Sequence, residues 1–446
     1  MNWHWSPALD LAPADRDRLL ADALPGVYAG EPDRGPLPGG RTAALASLQG
    51  YDISDYGRSR NFMAGAVSRL SPYLRHGMLS ITEVRDAIKS RYATEPARSE
   101  EFLRQLAWRD FFDKVLDWHG RGLDESLEEA KHGVGRSAGL PPDIAAGNTG
   151  LPCMDGTLHD LFDSGYLHNH QRLWFAAYLC HFRGVSWKAG ARLFRQYLYD
   201  GDSASNNASW QWVESTFSSK PYFMNQENIA KFSGNTYCAT CRVVCPFRAS
   251  YEDLQEKLFN TRRAPLQMVG RHESPKAPAP RDPVRAAAPA PAACESVVWV
   301  HDAAISPEDA ALKANPDAAV VFAFDEPSLK REPWAFHRLA FVFDGVVELL
   351  RGLPNPVKLV TIGDPAADLA AVVRQTGAAA VHVTDHPHQA VREAVATLRK
   401  SVTVRDYPRP TLAEYTEEPR RFSRYWDRCA PQVLGSAPRG AKRSRQ

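Results

Sequence analysis

The stretch that most limits how this chain can fold is residues 263–294. Ala-Pro repeats accumulate there, Ala277-Pro278-Ala279-Pro280 and Ala288-Pro289-Ala290-Pro291 among them. Proline lacks a backbone N–H and favours extended conformations, so the run is expected to be a semi-rigid, exposed linker. It splits 446 residues, a length that suggests two or three domains, into regions of different character. Upstream, Trp, Tyr and Phe are interleaved with amphipathic helical patterns; downstream, Ala and Val dominate short apolar runs. The expected division is a helical domain over 1–262, the linker, an α/β domain over 295–415 and a C-terminal tail over 416–446. The basic end from Arg439 to Gln446 is expected to fray in solvent.

Hydrophobic residues make up 44% and charged residues 24% of the chain, ordinary for a soluble globular protein. A net charge of +2 gives no whole-molecule argument for nucleic acid, so any such binding needs a local basic patch. No apolar run approaches the roughly 18 to 20 residues of a membrane span. The N-terminal Met-Asn-Trp-His-Trp lacks the pattern of a signal peptide, so a cytoplasmic protein with no membrane partner is expected. Seven cysteines, an odd number, argue against a disulfide framework in that compartment. Three of them, Cys238, Cys241 and Cys245, fall in one short stretch and need a separate explanation.

Downstream of the linker, β-branched runs at 296–300, 318–324, 357–362, 379–383 and 401–405 alternate with helical patterns at 307–314, 334–351, 366–375 and 388–398. Near-continuous apolar strands separated by helices predict βαβ units and a parallel sheet buried on both faces. No Gly-x-Gly-x-x-Gly fingerprint or phosphate-loop lysine motif is present, so an ordinary dinucleotide site is not supported. Gly363-Asp364-Pro365 is either a plain turn or a ligand loop.

Upstream, residues 99–118 set Leu103, Leu106, Ala107, Phe111 and Val115 at helical spacing, with Trp108 and Arg109 beside that stripe. Residues 160–180 and 188–199 carry similar patterns. Ser71 before Pro72 suits an N-cap followed by proline at the first helical position. With Ser68 and Arg69 it forms either an anion site at a helix start or an ordinary capped helix. The run from Asp200 to Trp212 packs two acids, two adjacent amides and two indoles into a short span. Asp, Asn and Ser favour caps and local backbone bonds over helix interiors, while Trp is normally buried. The run is therefore either the wall of a site for a polar aromatic cofactor, or a helix start capped by Asp200 or Asp202 with Trp packed behind.

Several motifs occur together in one order: Tyr56-x-x-x-Arg60, Ser68-Arg-Leu-Ser-Pro-Tyr-Leu74, Leu106-Ala-Trp-Arg-Asp-Phe-Phe112, Thr149-Gly-Leu-Pro152, Leu167-His-Asn-His170 and Asp200 to Trp212. As a set, over roughly residues 40–262, they resemble the flavin domain of the photolyase and cryptochrome family. That resemblance implies an all-helical domain holding FAD in a U shape. Tyr56, Ser68, Arg69, Leu70 and Ser71 match positions near its ribityl and phosphate part. Trp108 and Arg109 match a pocket-lining helix, and Asn169, Arg172, Asp200 and Asp202 match residues around the isoalloxazine and adenine. Asn206 matches the residue facing flavin N5. Trp210 and Trp187 match the first two members of an electron-transfer chain, whose third member has no counterpart near residue 134. Trp212 matches an aromatic wall of the lesion pocket. The downstream region resembles the same family's α/β antenna domain, placed after the flavin domain instead of before it, so the chain resembles a circular permutation. Family antennas include folate, deazaflavin, lumazine and a second flavin, and no motif chooses among them.

Cys238-x2-Cys241-x3-Cys245 brings thiolates close enough to imply a metal centre, an iron–sulfur cluster or tetrahedral zinc, with free thiols as the remaining option. Cys153 matches a cysteine that ligates a four-iron (4Fe-4S) cluster in the bacterial cryptochrome and (6-4) photolyase branch. That branch's pocket helix resembles the stretch around His168, which fits its lesion-protonating histidine. Two positions depart from family patterns: Leu173 stands where a second pocket histidine or a Met is found, and Gln105 where pyrimidine-dimer enzymes use a Glu. The resemblance implies a light-driven lyase that repairs UV lesions in DNA. A blue-light receptor signalling through flavin photoreduction, or a nucleic-acid-binding flavoprotein without repair, is the alternative.

Overall fold

The computed structural model describes residues 11–131, 137–260 and 291–435. Most of the expected linker, the position near residue 134 and the basic C-terminal end lie outside the described residues.

The upstream half is helical. Its central helix, Glu100–His119, buries Phe102, Leu103, Leu106, Ala107, Phe111, Val115 and Leu116, the stripe read from the sequence and its neighbours. Three further helices matter for the site: Asn169–Ala177, Trp187–Tyr197 and Ser205–Glu214. The pattern expected to run unbroken through 160–180 is interrupted. A π-turn over Asp160–Ser164 ends at Gly165, which adopts φ 62°, and the chain restarts at His168. Glycine takes that left-handed conformation at little cost.

The downstream half contains a five-stranded, wholly parallel sheet. Its strands are β2 (Ser296–Val300), β3 (Ala319–Asp325), β5 (Lys358–Gly363), β6 (Ala380–Thr384) and β7 (Val404–Tyr407), in spatial order β5-β3-β2-β6-β7. All five expected strands form, with ends moved by up to three residues. Alternate side chains feed two cores, as a sheet covered on both faces requires. Val297, Trp299, Val321 and Val383 pack toward the helices Pro365–Thr376 and Gln389–Leu398. Val298, Val300, Phe322 and Phe324 join the helix Phe336–Gly352 in a core continuous with the helical half.

Residues 334–335 were expected to begin a helix. They form instead strand β4, paired in parallel with β1 (Tyr28–Ala29) as a separate two-stranded sheet. The helix Glu326–Arg331, which the sequence pattern left unmarked, precedes it. The stretch read as a tail carries a helix, Phe422–Leu434, that buries Phe422, Tyr425, Trp426, Cys429 and Val433 against Glu100–His119.

Polar groups join the two halves. Arg75 pairs with Asp302 at 2.8 Å, and His76, fully buried, places its ring nitrogens 2.7 Å from the Asp302 carbonyl and 3.0 Å from that of Tyr199. Gly77, at φ 65°, lies so close to Ala303 that a Cβ would stand 2.3 Å from its carbonyl oxygen. Tyr425 donates to Asp110 at 2.7 Å.

Candidate functional site

The Asp200–Trp212 run folds as a tight turn into the Ser205–Glu214 helix. Asp202 accepts from the Ser205 N–H at 2.7 Å and so anchors the first turn, while Ala204 holds the N-cap position. The two readings of this run are therefore compatible: Asp202 supports the helix start, and the run also carries buried charge. Asp200 pairs with Arg172 at 3.0 Å and Asp202 with Arg109 at 3.6 Å. Burial pushes the Asp200 carboxyl up, but the Arg172 charge and hydrogen bond outweigh it and hold the group below its ordinary range. Its Oδ1 is buried with no hydrogen-bond partner, although the Ser71 hydroxyl is close enough to favour the charged form. Asp113, near Arg109 and Asp202, moves the other way: burial raises it to about 7 against the pull of Arg109.

Ser71 is the first residue of a five-residue helical turn, Ser71–Arg75, and Leu70 occupies the cap position, so Ser71 does not cap it as its place before Pro72 suggested. Arg69 is exposed at φ 52°, its guanidinium 5.1 Å from the Tyr166 ring centroid. Ser68 accepts from the Leu70 N–H at 3.4 Å. Asn169, expected beside the cofactor, is exposed at its helix start.

A second cluster gathers Tyr56, Gln105 and His168. Arg60 pairs with Glu101 at 3.0 Å, and Gln105 donates to the same carboxylate at 3.0 Å. Tyr56 meets Phe102 edge-on at 5.3 Å. His168 caps its helix, its Nδ1 accepting from the His170 N–H at 3.1 Å while Nε2 lies 3.0 Å from the Arg60 carbonyl. An accepting Nδ1 leaves the ring proton on Nε2, pointing at that carbonyl. Both nitrogens of the candidate proton donor are thus engaged, and burial lowers its pKa.

Trp210 is 2% exposed, edge-on to Phe194 at 5.0 Å. It sits against Gly190, whose added Cβ would be 2.1 Å from the indole. Trp187, one turn earlier on the same helix as Gly190, is also buried and donates to Ser126 at 3.1 Å. Asn206 is buried and donates to the Ala191 carbonyl at 2.9 Å. The expected electron path and its neighbouring amide therefore share one helix pair. Trp212 is 38% exposed and lines a cleft with Trp108 and Phe217. Phe422 enters that cleft and stacks on Trp108, centroids 3.8 Å apart and planes 11° apart.

The cysteines draw together in part. Cys153 is buried, and burial together with Cys238 and Cys245 pushes its thiol up to about 12. Burial raises the Cys238 thiol as well, with Cys245 and Cys241 adding to it. A thiol raised by neighbouring thiols is the donor chemistry a cation would relieve. Among the described residues, no three Cys, His, Asp or Glu side chains are placed as a metal-holding group.

Sequence reasoning missed a cavity of about 200 Å³ at the carboxyl ends of β2 and β3, facing Gly201 and Asp202. The strand order reverses between β2 and β6, and His388 to Val391, which follow β6, also line the cavity, so it borders the switch point where open α/β sheets bind ligands. Trp299 Nε1, His388 Nε2 and Arg338 Nε line it as buried atoms without hydrogen-bond partners. Arg338 stacks on Trp334 at 3.8 Å and donates to the carbonyls of Arg195 and Gly201 at 2.7 and 2.6 Å. Burial and the nearby Arg75 lower it to about 9. The Trp299 strand and the Gly363-Asp364-Pro365 turn, whose Pro365 lines the cavity, were legible there; Arg338 sits on a helix whose facing partner the sequence does not reveal.

Residues 102–252 match the model of the FAD binding domain of DNA photolyase. The chain is 33% identical over 238 residues to a deoxyribodipyrimidine photo-lyase of Halobacterium salinarum, covering 49% of each, and 35% identical over 206 residues to that of Streptomyces griseus, covering 45% of this chain and 42% of the relative. It is 32% identical over 196 residues to a cryptochrome DASH of Synechocystis, covering 39% and 38%. A crystal structure of a bacterial class III photolyase from Agrobacterium tumefaciens aligns with TM-score 0.39 and 29% identity, over 44% of this chain and 43% of that one. The chain thus spans about half the length, or less, of the curated relatives it matches. No described helix is long and apolar enough to cross a membrane. Over residues 102–252 this chain is similar to the FAD binding domain of DNA photolyase, and over about half its length or less to deoxyribodipyrimidine photo-lyases and a cryptochrome DASH.

Proposed function

We propose that this chain is a blue-light-dependent flavoprotein that repairs UV pyrimidine lesions in DNA, a photolyase-type carbon–carbon lyase. The observation that carries the proposal is the buried charge network Arg172–Asp200 and Arg109–Asp202, gathered on the turn that leads into the helix bearing the buried Trp210. The residues fit FAD. The orphaned Asp200 Oδ1 could accept from a hydroxyl or ring N–H of that group, and Arg172, Arg109, Asp202 and Asn206 would line its site. When bound, FAD supplies the light-driven electron for the lesion. Arg172 and Arg109 orient it, Trp210 and Trp187 extend a buried aromatic path outward, and Trp108 with Trp212 offers stacking faces for an extruded base.

Cys153, Cys238, Cys241 and Cys245 are proposed as the ligands of an iron–sulfur cluster, with zinc as the alternative metal; the thiols of Cys153 and Cys238, each raised by burial and by neighbouring cysteines, support this. The cavity over β2 and β3 is proposed to hold a second chromophore of polar character, supported by its three buried nitrogens without partners. The order of the two halves is proposed to be a circular permutation of the family arrangement. One observation favours the receptor reading instead: Phe422, on the last helix of the described residues, occupies a face of Trp108, where a base would stack.

Illumination of lesion-bearing oligonucleotides with the purified protein decides between them. Repair predicts light-dependent loss of lesions. Unchanged lesion content from a protein whose flavin is photoreduced leaves the receptor reading standing.

A further inference from the structure

The α/β half reaches across to the turn that opens the proposed flavin site. Between the helices Trp187–Tyr197 and Ser205–Glu214 the chain passes through Asp200, Gly201 and Asp202, and the two carboxylates pair with Arg172 and Arg109. The last carbonyls of a helix lack partners within it and favour donors and cations. Two neighbours at the start of the helix Phe336–Gly352 supply them: His337 sets Nε2 2.6 Å from the Tyr197 carbonyl, and Arg338 Nη1 donates to that of Arg195. Arg338 Nη2 donates to the Gly201 carbonyl, which also accepts from Arg75 at 3.3 Å. One guanidinium fork therefore spans the end of the first helix and the middle of the turn. The turn is pressed against it, since a Cβ on Gly201 would stand 3.1 Å from Arg338 Nη1 and 2.8 Å from Arg195 Cα. Arg338 is fully buried and gives both terminal nitrogens to carbonyls, so its charge is left to act on the surrounding acids, Asp302, Asp202 and Asp200.

We infer that Arg338 is a positioning residue of the flavin site, supplied by the α/β half: its fork holds the Gly201 carbonyl against the end of the Trp187–Tyr197 helix and so sets where the Asp200 and Asp202 carboxylates stand. It acts through the backbone of the turn. A planar guanidinium, kept in place by stacking on Trp334 at 3.8 Å, grips two carbonyls at once; a lysine ammonium brings the same charge without the fixed fork. A buried positive charge beside the site also favours an added electron there, because the interior screens its field only weakly. This inference rests on the proposed flavin site at the Asp200–Trp212 run and adds the contact that fixes its geometry.

The test titrates FAD into the full-length protein stripped of flavin, as wild type, Arg338→Met, Arg338→Lys and Arg392→Met, and reads the midpoint potential and melting temperature of each. Arg392 ties the same two halves by pairing with Asp117 at 2.6 Å, with no hydrogen bond to the turn, and is the control. Arg338→Met is expected to bind FAD about tenfold more weakly, having lost two charged hydrogen bonds on the turn. Its potential should move to more negative values, by about 59 mV for each tenfold loss of relative affinity for the one-electron-reduced flavin. Arg338→Lys is expected to keep the potential, since it keeps the charge, and to recover only part of the affinity. Arg392→Met is expected to lower the melting temperature alone. If Arg338→Met and Arg392→Met behave alike, with FAD affinity and potential at wild-type values, Arg338 is only a strut between the halves, and the inference is overturned while the proposed function stands. Should Arg338→Met fail to fold, Arg338→Lys decides: reduced affinity at unchanged potential upholds the inference, and wild-type affinity overturns it. A wild-type chain that takes up no FAD overturns the flavin site itself, and this inference with it.

Discussion

Gly190→Ala tests whether the packing of Trp210 matters for the electron path. Gly190 lies inside the Trp187–Tyr197 helix, and an added Cβ would stand 2.1 Å from Trp210 Cη2, 2.4 Å from Cζ3 and 2.6 Å from Leu179 Cδ2. Ordinary carbon contact begins near 3.4 Å, so the indole must retreat by about 1.3 Å (3.4 less 2.1) in a core where Phe194 and Phe175 already bound it. Alanine gains about 1 kcal/mol of helix propensity, whereas overpacking costs about 1–3 kcal/mol. The net expectation is a loss of up to about 2 kcal/mol, with slower flavin photoreduction because the displaced ring is the proposed first relay. Gly50→Ala is the control, since nothing lies within 4 Å of the Cβ it adds. Denaturant melts give the stability, and the decay of oxidised flavin under blue light gives the photochemistry. A Gly190→Ala protein as stable as wild type with an unchanged photoreduction rate refutes both the packing and the path.

Asp113 gives a pH signature. Its folded pKa of about 7 stands above the carboxylate value of an unfolded chain, so its contribution to stability is full at acid pH and lost as pH rises through 7. Asp113→Asn should therefore raise the melting temperature at pH 8 and change little at pH 5. The Asp200 carboxyl has the opposite sign: its pKa is depressed, so its stabilisation is present above about pH 4 and lost as pH falls through the folded value. Arg172→Ala strands that carboxylate in a buried site, expected to cost about 3 kcal/mol in denaturant melts and to release flavin. Cys153→Ala should deplete iron in elemental analysis, and full retention shows that the fourth ligand was misassigned.

Period-2 and period-3.6 patterns found the elements well where one face or both are apolar: the five strands of the sheet and the Glu100–His119 helix are visible in the chain. Pairing was not. The β1–β4 pair joins Tyr28 to Trp334, and the order β5-β3-β2-β6-β7 sets β2 beside β6 across two intervening strands of that sheet, which no local pattern encodes. The helix Phe422–Leu434 was legible in principle, since Phe422, Tyr425, Trp426, Cys429 and Val433 recur at helical spacing; the charged residues between them and Pro431 hid the stripe. At the site, acids, arginines and indoles could be picked out by type, but the structure decided their roles. Asp202 became a helix anchor and salt-bridge partner at once, His168 became a cap, and Asn169 turned outward. Arg338 and Phe422 went unseen because their importance lies in what faces them across the fold.

The flavin content of the purified chain tests the central claim most directly, that the Asp200–Trp212 run walls a flavin pocket. Denaturation of the protein should release about one FAD per chain, and Arg172→Ala should release much less. A wild-type chain that carries no flavin and takes up none when FAD is added contradicts the account.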